Sequence, residues 1–368
     1  MYLKNIILNS FRNFIKVDIE FGNGLNFLIG ENSHGKSNLL EAIYLLLTSK
    51  SLRTNCCEDI INFESNFFYV KGTLIIKDKN QVIEVVGEKV KGKRLRINNK
   101  IQTNPNYLNN RFPAVIFTPE NYNIIKGAPS QRRSYLDFQI SQISPQYFHT
   151  LKQYQKILTQ KNLILQEKMI DKNIDLLDSW DKQLVEYGAE LIIKRNIVLN
   201  KINMLMKKIY KNIISYEEID VVYKTFLSNS VLNDKKEIIN IYSKLILKTR
   251  GEEIRKGFSL CGPHRDDIAF FMNGKEVKDF SSQGQIKSVL LALNLAEIYL
   301  IFEESGEYPI VLFDELFSEL DNKRIENIFN VLPKGIQIFI TEVDRSNIKN
   351  KRGKWFDVER GRVVGVPL

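Results

Sequence analysis

Near the N-terminus, Gly30-Glu31-Asn32-Ser33-His34-Gly35-Lys36-Ser37 has the residue types and spacing to hold a polyphosphate. The pattern is G-x-x-x-x-G-K-[ST]. Gly30 and Gly35 let the backbone curl so that successive N–H groups point inward at phosphate oxygens. Lys36 puts a full positive charge on the β- and γ-phosphates, and Ser37 offers a hydroxyl to Mg²⁺, a hard cation that wants oxygen. A second group lies far along the chain, where Tyr308-Pro309-Ile310-Val311-Leu312-Phe313 runs into Asp314-Glu315. Two adjacent carboxylates at the end of a buried strand are costly unless a cation compensates one of them. Asp314 fits the Mg²⁺ partner opposite Ser37, and Glu315 fits the residue that polarises an attacking water. The chemistry expected of the two groups together is nucleoside triphosphate binding and hydrolysis.

The elements around them have to place them together. Leu25-Asn26-Phe27-Leu28-Ile29 reads as a short buried strand, and Asn38 to Leu47 as a helix without a breaker. The loop therefore ends at a helix N-terminus, where free N–H groups and the helix dipole favour an anion. Four consecutive apolar residues before Asp314 predict a strand covered on both faces, with the carboxylates at its C-terminal end, where doubly covered sheets place ligands. Residues 2–9 and 14–21 read as strands joined by Ser10-Phe11-Arg12-Asn13. Arg12 and Asn13 are then one strand from the loop, either within reach of the nucleotide or simply forming the turn. Ser282 is a natural N-cap for a helix carrying Ile286, Val289, Leu290, Leu293, Ala296 and Leu300 at helical spacing. The small residues at that N-terminus leave its N–H groups open to an anion.

Residues 67–76, 81–87 and 93–98 alternate like an antiparallel meander. Lys89, Lys91, Lys93, Arg94, Arg96 and Lys100 stud it, a basic hairpin suited to DNA phosphates and equally the form of a solvated edge strand blunted by lysines. From Gln131 to about Tyr210 the pattern is almost continuously helical, with a polar turn at Asp171-Lys172-Asn173. A helix is expected from about Ile238 to Thr249, and strand character at Gly257-Phe258-Ser259-Leu260-Cys261. Further strands are expected at 268–272 and 337–341, a helix at 323–332, and a terminal hairpin from Trp355 to Val364.

The chain has 368 residues, 43% hydrophobic and 26% charged, an ordinary globular composition for about two domains. Its formal charge of +10 favours a polyanionic partner. No apolar run approaches the ~20 residues that cross a bilayer, no signal-peptide pattern opens the chain, and Cys56, Cys57 and Cys261 have no zinc or disulfide spacing. A cytoplasmic protein with reduced thiols and no membrane partner is expected.

Several further strings occur in a fixed order: Phe11-Arg12-Asn13, the phosphate loop with Asn38-Leu39-Leu40-Glu41-Ala42-Ile43, Phe117-Thr118-Pro119-Glu120, and Arg132-Arg133-x-x-Leu136-Asp137. Gly262-Pro263-His264-Arg265-Asp266-Asp267, Ser282-Gln283-Gly284-Gln285 and Asp314-x-x-x-Ser318-Glu319-Leu320-Asp321 follow. Over the whole chain this order resembles the ATP-binding-cassette head of the SMC family and its DNA-repair relatives, and within that group the RecF family. The resemblance implies an α/β fold, an ABC-type P-loop ATPase head with mixed sheets around a central helix and an inserted α-helical lobe. The head would comprise residues 1–118 and 251–368, and the lobe 119–250. The resemblance also implies that Ser282, Gln283, Gly284 and Gln285 form a signature motif presented to the γ-phosphate of a second copy, and that Asp321 belongs to a loop coupling the two sites. Thr341 would stand where transporters of the superfamily carry a switch histidine, which points to the SMC-like branch and slow hydrolysis. His34 replaces a smaller or amide residue usual in the family, with little effect because backbone N–H groups hold the phosphates.

The implied function is an ATP- and Mg²⁺-dependent homodimer on DNA, acting in replication, recombinational gap repair and SOS induction, and loading RecA with RecR and RecO. The alternatives weighed are the ATPase subunit of a membrane transporter and a small-molecule P-loop kinase, which would lack the signature helix and the helical lobe.

Overall fold

The computed structural model describes residues 1–54, 56–102, 112–166, 174–213, 217–227, 232–315, 322–345 and 351–366. Their packing divides the chain into two compact units, residues 1–121 with 294–368, and residues 122–293. The segment 251–293, expected with the nucleotide-binding part, thus packs in the second unit. The reason is strand pairing, as Asp267–Met272 forms its sheet with Ile219–Lys224.

In the first unit, β1 (Tyr2–Phe11), β2 (Phe14–Glu20), β4 (Phe67–Ile76), β5 (Lys79–Glu88), β6 (Gly92–Ile97) and β7 (Lys100–Gln102) make an antiparallel sheet in the order β2-β1-β4-β5-β6-β7. A second sheet has the order β15-β14-β3-β13-β12-β8, from β3 (Leu25–Ile29), β8 (Ala114–Phe117), β12 (Ile310–Asp314), β13 (Ile338–Glu342), β14 (Lys354–Glu359) and β15 (Arg362–Val366). All its pairings are parallel except β14 with β15. The terminal hairpin is thereby an extension of the central sheet.

The helix after the phosphate loop, α1 (Lys36–Thr48), packs against strands of both sheets and is buried around nearly its whole circumference. That burial explains a run as apolar as Leu39-Leu40-Glu41-Ala42-Ile43-Tyr44-Leu45-Leu46-Leu47, since a helix covered on all sides has no polar face to keep. Gln337, fully buried, ties the sheets together: it accepts from Leu3 N at 2.7 Å and donates to the carbonyls of Leu3 (2.8 Å) and Gly22 (2.7 Å). A further helix, α9 (Asn322–Val331), precedes β13.

The second unit contains α2 (Tyr122–Lys126), α3 (Pro129–Ile143), α4 (Pro145–Gln166), α5 (Ile174–Ile213), α6 (Lys235–Lys256) and α7 (Val277–Phe280). It also holds a three-stranded sheet of β9 (Ile219–Lys224), β10 (Asp267–Met272) and β11 (Lys275–Glu276). The predicted turn 171–173 lies outside the described residues. Gly257–Cys261 is not a strand. Helix α6 runs on to Lys256 and ends at Gly257, whose φ of +76° makes the C-cap. The following backbone bonds to side chains, Ser259 N to Asn162 Oδ1 and Leu260 N to the buried Glu253 Oε1, so it needs no strand neighbour.

Gly262-Pro263-His264-Arg265-Asp266-Asp267 is held by helices on several sides. Arg195 of α5 chelates Asp137 of α3 at 2.9 Å through Nε and Nη2 and donates from Nη1 to Pro263 O at 2.7 Å. Arg132 chelates Asp267 at 2.7 and 2.8 Å. Gly262, at φ +131°, must be glycine, because a Cβ there would lie 2.0 Å from the Tyr242 hydroxyl.

The long helix α8 (Gln283–Ser305) begins in the second unit and ends in the first. It is long and apolar enough by length and composition to cross a membrane, but most of that stretch is buried within the protein. The cysteines are free thiols, with Cys261 buried.

Candidate functional site: a phosphate loop and its carboxylates

The loop between β3 and α1 is built by close backbone approach. A Cβ on Gly30 would sit 2.2 Å from the Val358 carbonyl of β14. Gly35, at φ +115°, would put its Cβ 2.6 Å from Asn13 Nδ2. Gly35 is also the N-cap of α1 and supplies no side-chain cap, so the first-turn amides stay directed at the loop's concavity. Lys36 is buried, its Nζ 2.8 Å from Gly30 O, 3.1 Å from Glu31 O and 3.6 Å from Glu315 Oε1. Gly361 N donates to His34 O at 3.2 Å, so the turn of the terminal hairpin supports the loop from outside.

The parallel sheet brings the carboxylates to the same edge. Asp314 lies opposite Thr341 in the β12–β13 register, and Thr341 lies opposite Leu28 in β3. Ser37 Oγ donates to Asp314 Oδ1 at 2.9 Å, joining a hydroxyl and a carboxylate oxygen of the kind Mg²⁺ takes. Thr341 Oγ1, fully buried, donates to the same Asp314 oxygen at 2.8 Å and accepts from Glu315 N at 2.9 Å. Burial pushes the Asp314 pKa up. The Thr341 and Ser37 hydrogen bonds oppose that push, Glu315 adds to it, and Arg53 opposes it again. Glu315 sits at φ +52°, a backbone region costly for a residue with a Cβ. The hydrogen bond that its backbone N–H donates to Thr341 Oγ1 holds that turn.

Asn13 touches the loop directly, donating from Nδ2 to His34 O at 3.1 Å and accepting from Asn38 Nδ2 at 2.8 Å. Arg12 has a different engagement. Its Nε and Nη2 chelate Glu41 of α1, both at 2.9 Å, and Nη1 donates to Asp59 O. Glu41 is fully buried, and an unpaired carboxylate there would cost several kcal/mol. A lone Glu inside an apolar helix was the readable signal for that pairing. Asn38, Arg53 and Gly361 carried no comparable signal.

In the second unit, Ser282 and Gln285 form a capping box at the start of α8. Ser282 N donates to Gln285 Oε1 at 3.0 Å, and Gln285 N donates to Ser282 Oγ at 3.3 Å. A Cβ on Gly284 would meet nothing within 4 Å. Its own chain therefore does not require glycine there. Asp321, with Ser318, Glu319 and Leu320, lies outside the described residues.

The basic hairpin is only partly available to a phosphate backbone. Lys93 shares the inward parity of Leu95 and Ile97 on β6. Much of its side chain is exposed, but its ammonium end donates to Ser49 O and burial lowers its pKa. Lys91 and Arg94 pair with Glu88 at 3.5 and 3.3 Å. Lys89 and Arg96 are exposed.

A glycine-bounded loop at a helix N-terminus, with the first-turn Ser37 bonded to an aspartate that ends a parallel strand two places along the sheet, defines a P-loop nucleotide-binding head. The family model described as "RecF/RecN/SMC N terminal domain" matches residues 2–360. The chain is 36% identical over 370 residues to the DNA replication and repair protein RecF of Bacillus subtilis (99% of this chain, 100% of that one). To the protein of the same name from Bacillus cereus it is 37% identical over 369 residues (99% and 98%). It belongs to the RecF family. A solved structure described as the recombination mediator protein RecF-ATP in the RecFOR pathway superposes with a TM-score of 0.93 at 34% identity, covering 100% of this chain and 98% of that one. An Smc head bound to the C-terminal winged-helix domain of ScpA shares the fold, with a TM-score of 0.58 at 16% identity over 100% and 98%.

Proposed function

We propose that the protein is an ATP-dependent DNA-binding switch of replication and recombinational repair. The observation that carries this reading is the assembly Ser37–Asp314–Thr341–Glu315 beside Lys36. The residues fit a nucleoside triphosphate: the loop's glycines sit where a Cβ would collide, and the first turn of α1 has no side-chain cap.

Gly30 to Gly35 wrap the phosphates with backbone N–H groups, Lys36 and the α1 N-terminus supply positive charge, and Ser37 with Asp314 hold Mg²⁺. Bound there, Mg²⁺ neutralises phosphate charge. Glu315 accepts a proton from the attacking water, and Thr341 orients both Asp314 and the Glu315 amide. Arg12 positions α1 through Glu41, and Asn13 braces the loop. Ser282, Gln283, Gly284 and Gln285 of a second copy close on the γ-phosphate, so two copies grip one nucleotide. Asp321 couples the two sites. Slow hydrolysis releases the grip.

DNA is the polyanion for the +10 chain, with Lys89, Lys91, Arg94 and Arg96 as candidate contacts. RecR and RecO are the protein partners, as the RecFOR pathway named for the RecF structures suggests, and the cytoplasm is the location. Neither a transporter subunit nor a small-molecule kinase is favoured, since the full-length relatives are DNA repair proteins.

The test is sedimentation with ATP and Mg²⁺. The wild type should become dimeric, Lys36→Ala should neither bind nucleotide nor dimerise, and Glu315→Gln should bind and stay dimeric. A wild type that remains monomeric at saturating ATP refutes the switch.

A further inference from the structure

The capping box leaves one end of the Gln285 amide unaccounted for. Its Oε1 accepts from Ser282 N, which leaves Nε2 to donate elsewhere. That acceptor is Glu217, whose Oε1 lies 2.8 Å away. The other oxygen, Oε2, accepts from the Tyr210 hydroxyl at 2.5 Å, and Tyr210 is buried on α5. The backbone beside Glu217 is fixed as well. Glu218 N donates to Asn273 Oδ1, and Asn273 N donates to Glu218 O, both at 2.9 Å. Ile219 then enters β9 paired with Met272. The nearby Lys207 pairs with Asp220 at 3.0 Å. A continuous chain of hydrogen bonds thus runs from α5 through Tyr210 and Glu217 to Gln285 and Ser282.

We propose that Glu217 is the positioning residue of the 282–285 motif, a strut that locks Gln285 into the cap. This rests on the reading of that motif as the surface that closes on a second copy's nucleotide. Gln285 is a long, flexible side chain. Without an acceptor for Nε2 its amide rotates, Ser282 N loses its partner, and the first turn of α8 frays. With Glu217 in place, Ser282 and Gln285 satisfy each other, and the amides of Gln283 and Gly284 are presented in a preset geometry. A preorganised donor pair loses less freedom on closing than a mobile one. The strut also ties the motif to the 40-residue helix α5, so a ligand that shifts the end of α5 acts on the cap through a single carboxylate.

A cavity of about 780 Å³, lined by Tyr210, Lys211, Glu217 and Phe271 among others, borders the strut. Truncating Glu217 therefore opens the side chain's space to that cavity rather than sealing a void in the core.

The experiment compares Glu217→Ala, Glu217→Gln and wild type. Four quantities are measured: binding of a fluorescent ATP analogue to the monomer, ATP-driven dimerisation by sedimentation, amide hydrogen exchange over residues 282–286 in the monomer, and the melting temperature. For Glu217→Ala the expected result is monomer nucleotide binding within about twofold of wild type, dimerisation weakened about tenfold, and exchange at Gln285 and Ile286 about tenfold faster. Glu217→Gln keeps an acceptor oxygen and should restore most of both losses. Unchanged exchange in Glu217→Ala overturns the inference, as does dimerisation equal to that of wild type. Parallel losses in nucleotide binding and thermal stability also overturn it, because they mark a merely structural role. If the wild type itself does not dimerise, the switch reading falls, and the exchange rates alone decide whether Glu217 holds the cap.

Discussion

Thr341 serves two partners with one hydroxyl: it receives the Glu315 amide and points its proton at the Asp314 carboxylate that Ser37 shares. Thr341→Val keeps the shape and removes the hydroxyl. The Glu315 amide and one Asp314 lone pair are then left unsatisfied, at a cost of about 1–3 kcal/mol. A lowered melting temperature and slower ATP hydrolysis with near-normal nucleotide binding are expected, read by thermal denaturation and phosphate release. Glu297 presents the opposite case. It is buried in α8 with no hydrogen-bond partner for either carboxyl oxygen among the described residues, and burial raises its pKa well above the usual value. The unfolded chain loses this proton near the ordinary Glu pKa, while the folded chain retains it. Its contribution to stability is therefore undiminished below that pKa and falls as pH rises through the window up to the raised value. Glu297→Met should raise the melting temperature, and by more at pH 8 than at pH 5. An equal gain at both values would show that the carboxyl is not the cause.

Among the elements, α1 and α8 carry the two halves of the proposed grip by different means. The first turn of α1 follows a glycine that cannot cap it, leaving its amides for an anion. The start of α8 is capped by Ser282 and Gln285, and a Cβ on Gly284 would stand in open space. An arginine at Ser282 removes the cap, worth about 1 kcal/mol, and places a long cation on the closing surface. Ser282→Arg should block ATP-driven dimerisation in sedimentation while monomer nucleotide affinity stays within about twofold. Loss of monomer binding would mean that the motif serves its own chain's nucleotide.

Taken as a whole, the molecule carries a formal charge of +10. Of the β5–β6 hairpin cations, Lys93 is tied to Ser49 O, and Lys91 and Arg94 share Glu88. DNA affinity should therefore draw on many surface cations rather than on that hairpin alone, and should fall steeply with salt as counterions are released. Filter binding between 50 and 200 mM salt, about a fourfold change, is expected to lower affinity by at least an order of magnitude. A flat response would exclude backbone contacts. Replacing both Lys89 and Arg96 with Ala should reduce the salt slope by about 2 if both touch phosphates.

The phosphate loop and the strand ending in Asp314-Glu315 were legible because each is a local pattern, glycines at a fixed interval or four apolar residues before a carboxylate. Backbone curvature and strand burial are dictated within a few residues. The near-continuous helices of the second unit were legible for the same reason, through their 3.6-residue period. What had no local signature was decided by tertiary packing. Arg12 was visible as a turn residue and Glu41 as a lone carboxylate in an apolar run, but that the two pair was decided only when α1 was enclosed between two sheets. Gly257–Cys261 looked like a strand from its apolar content, yet its amides bond to Asn162 and Glu253, residues that sequence distance cannot pair. The placement of 251–293 in the second unit depends on β9 meeting β10. Short-range chemistry wrote the motifs into the chain, whereas the partners of buried charges and amides were settled only when distant segments closed around them, because satisfying a buried polar group is a property of the whole fold.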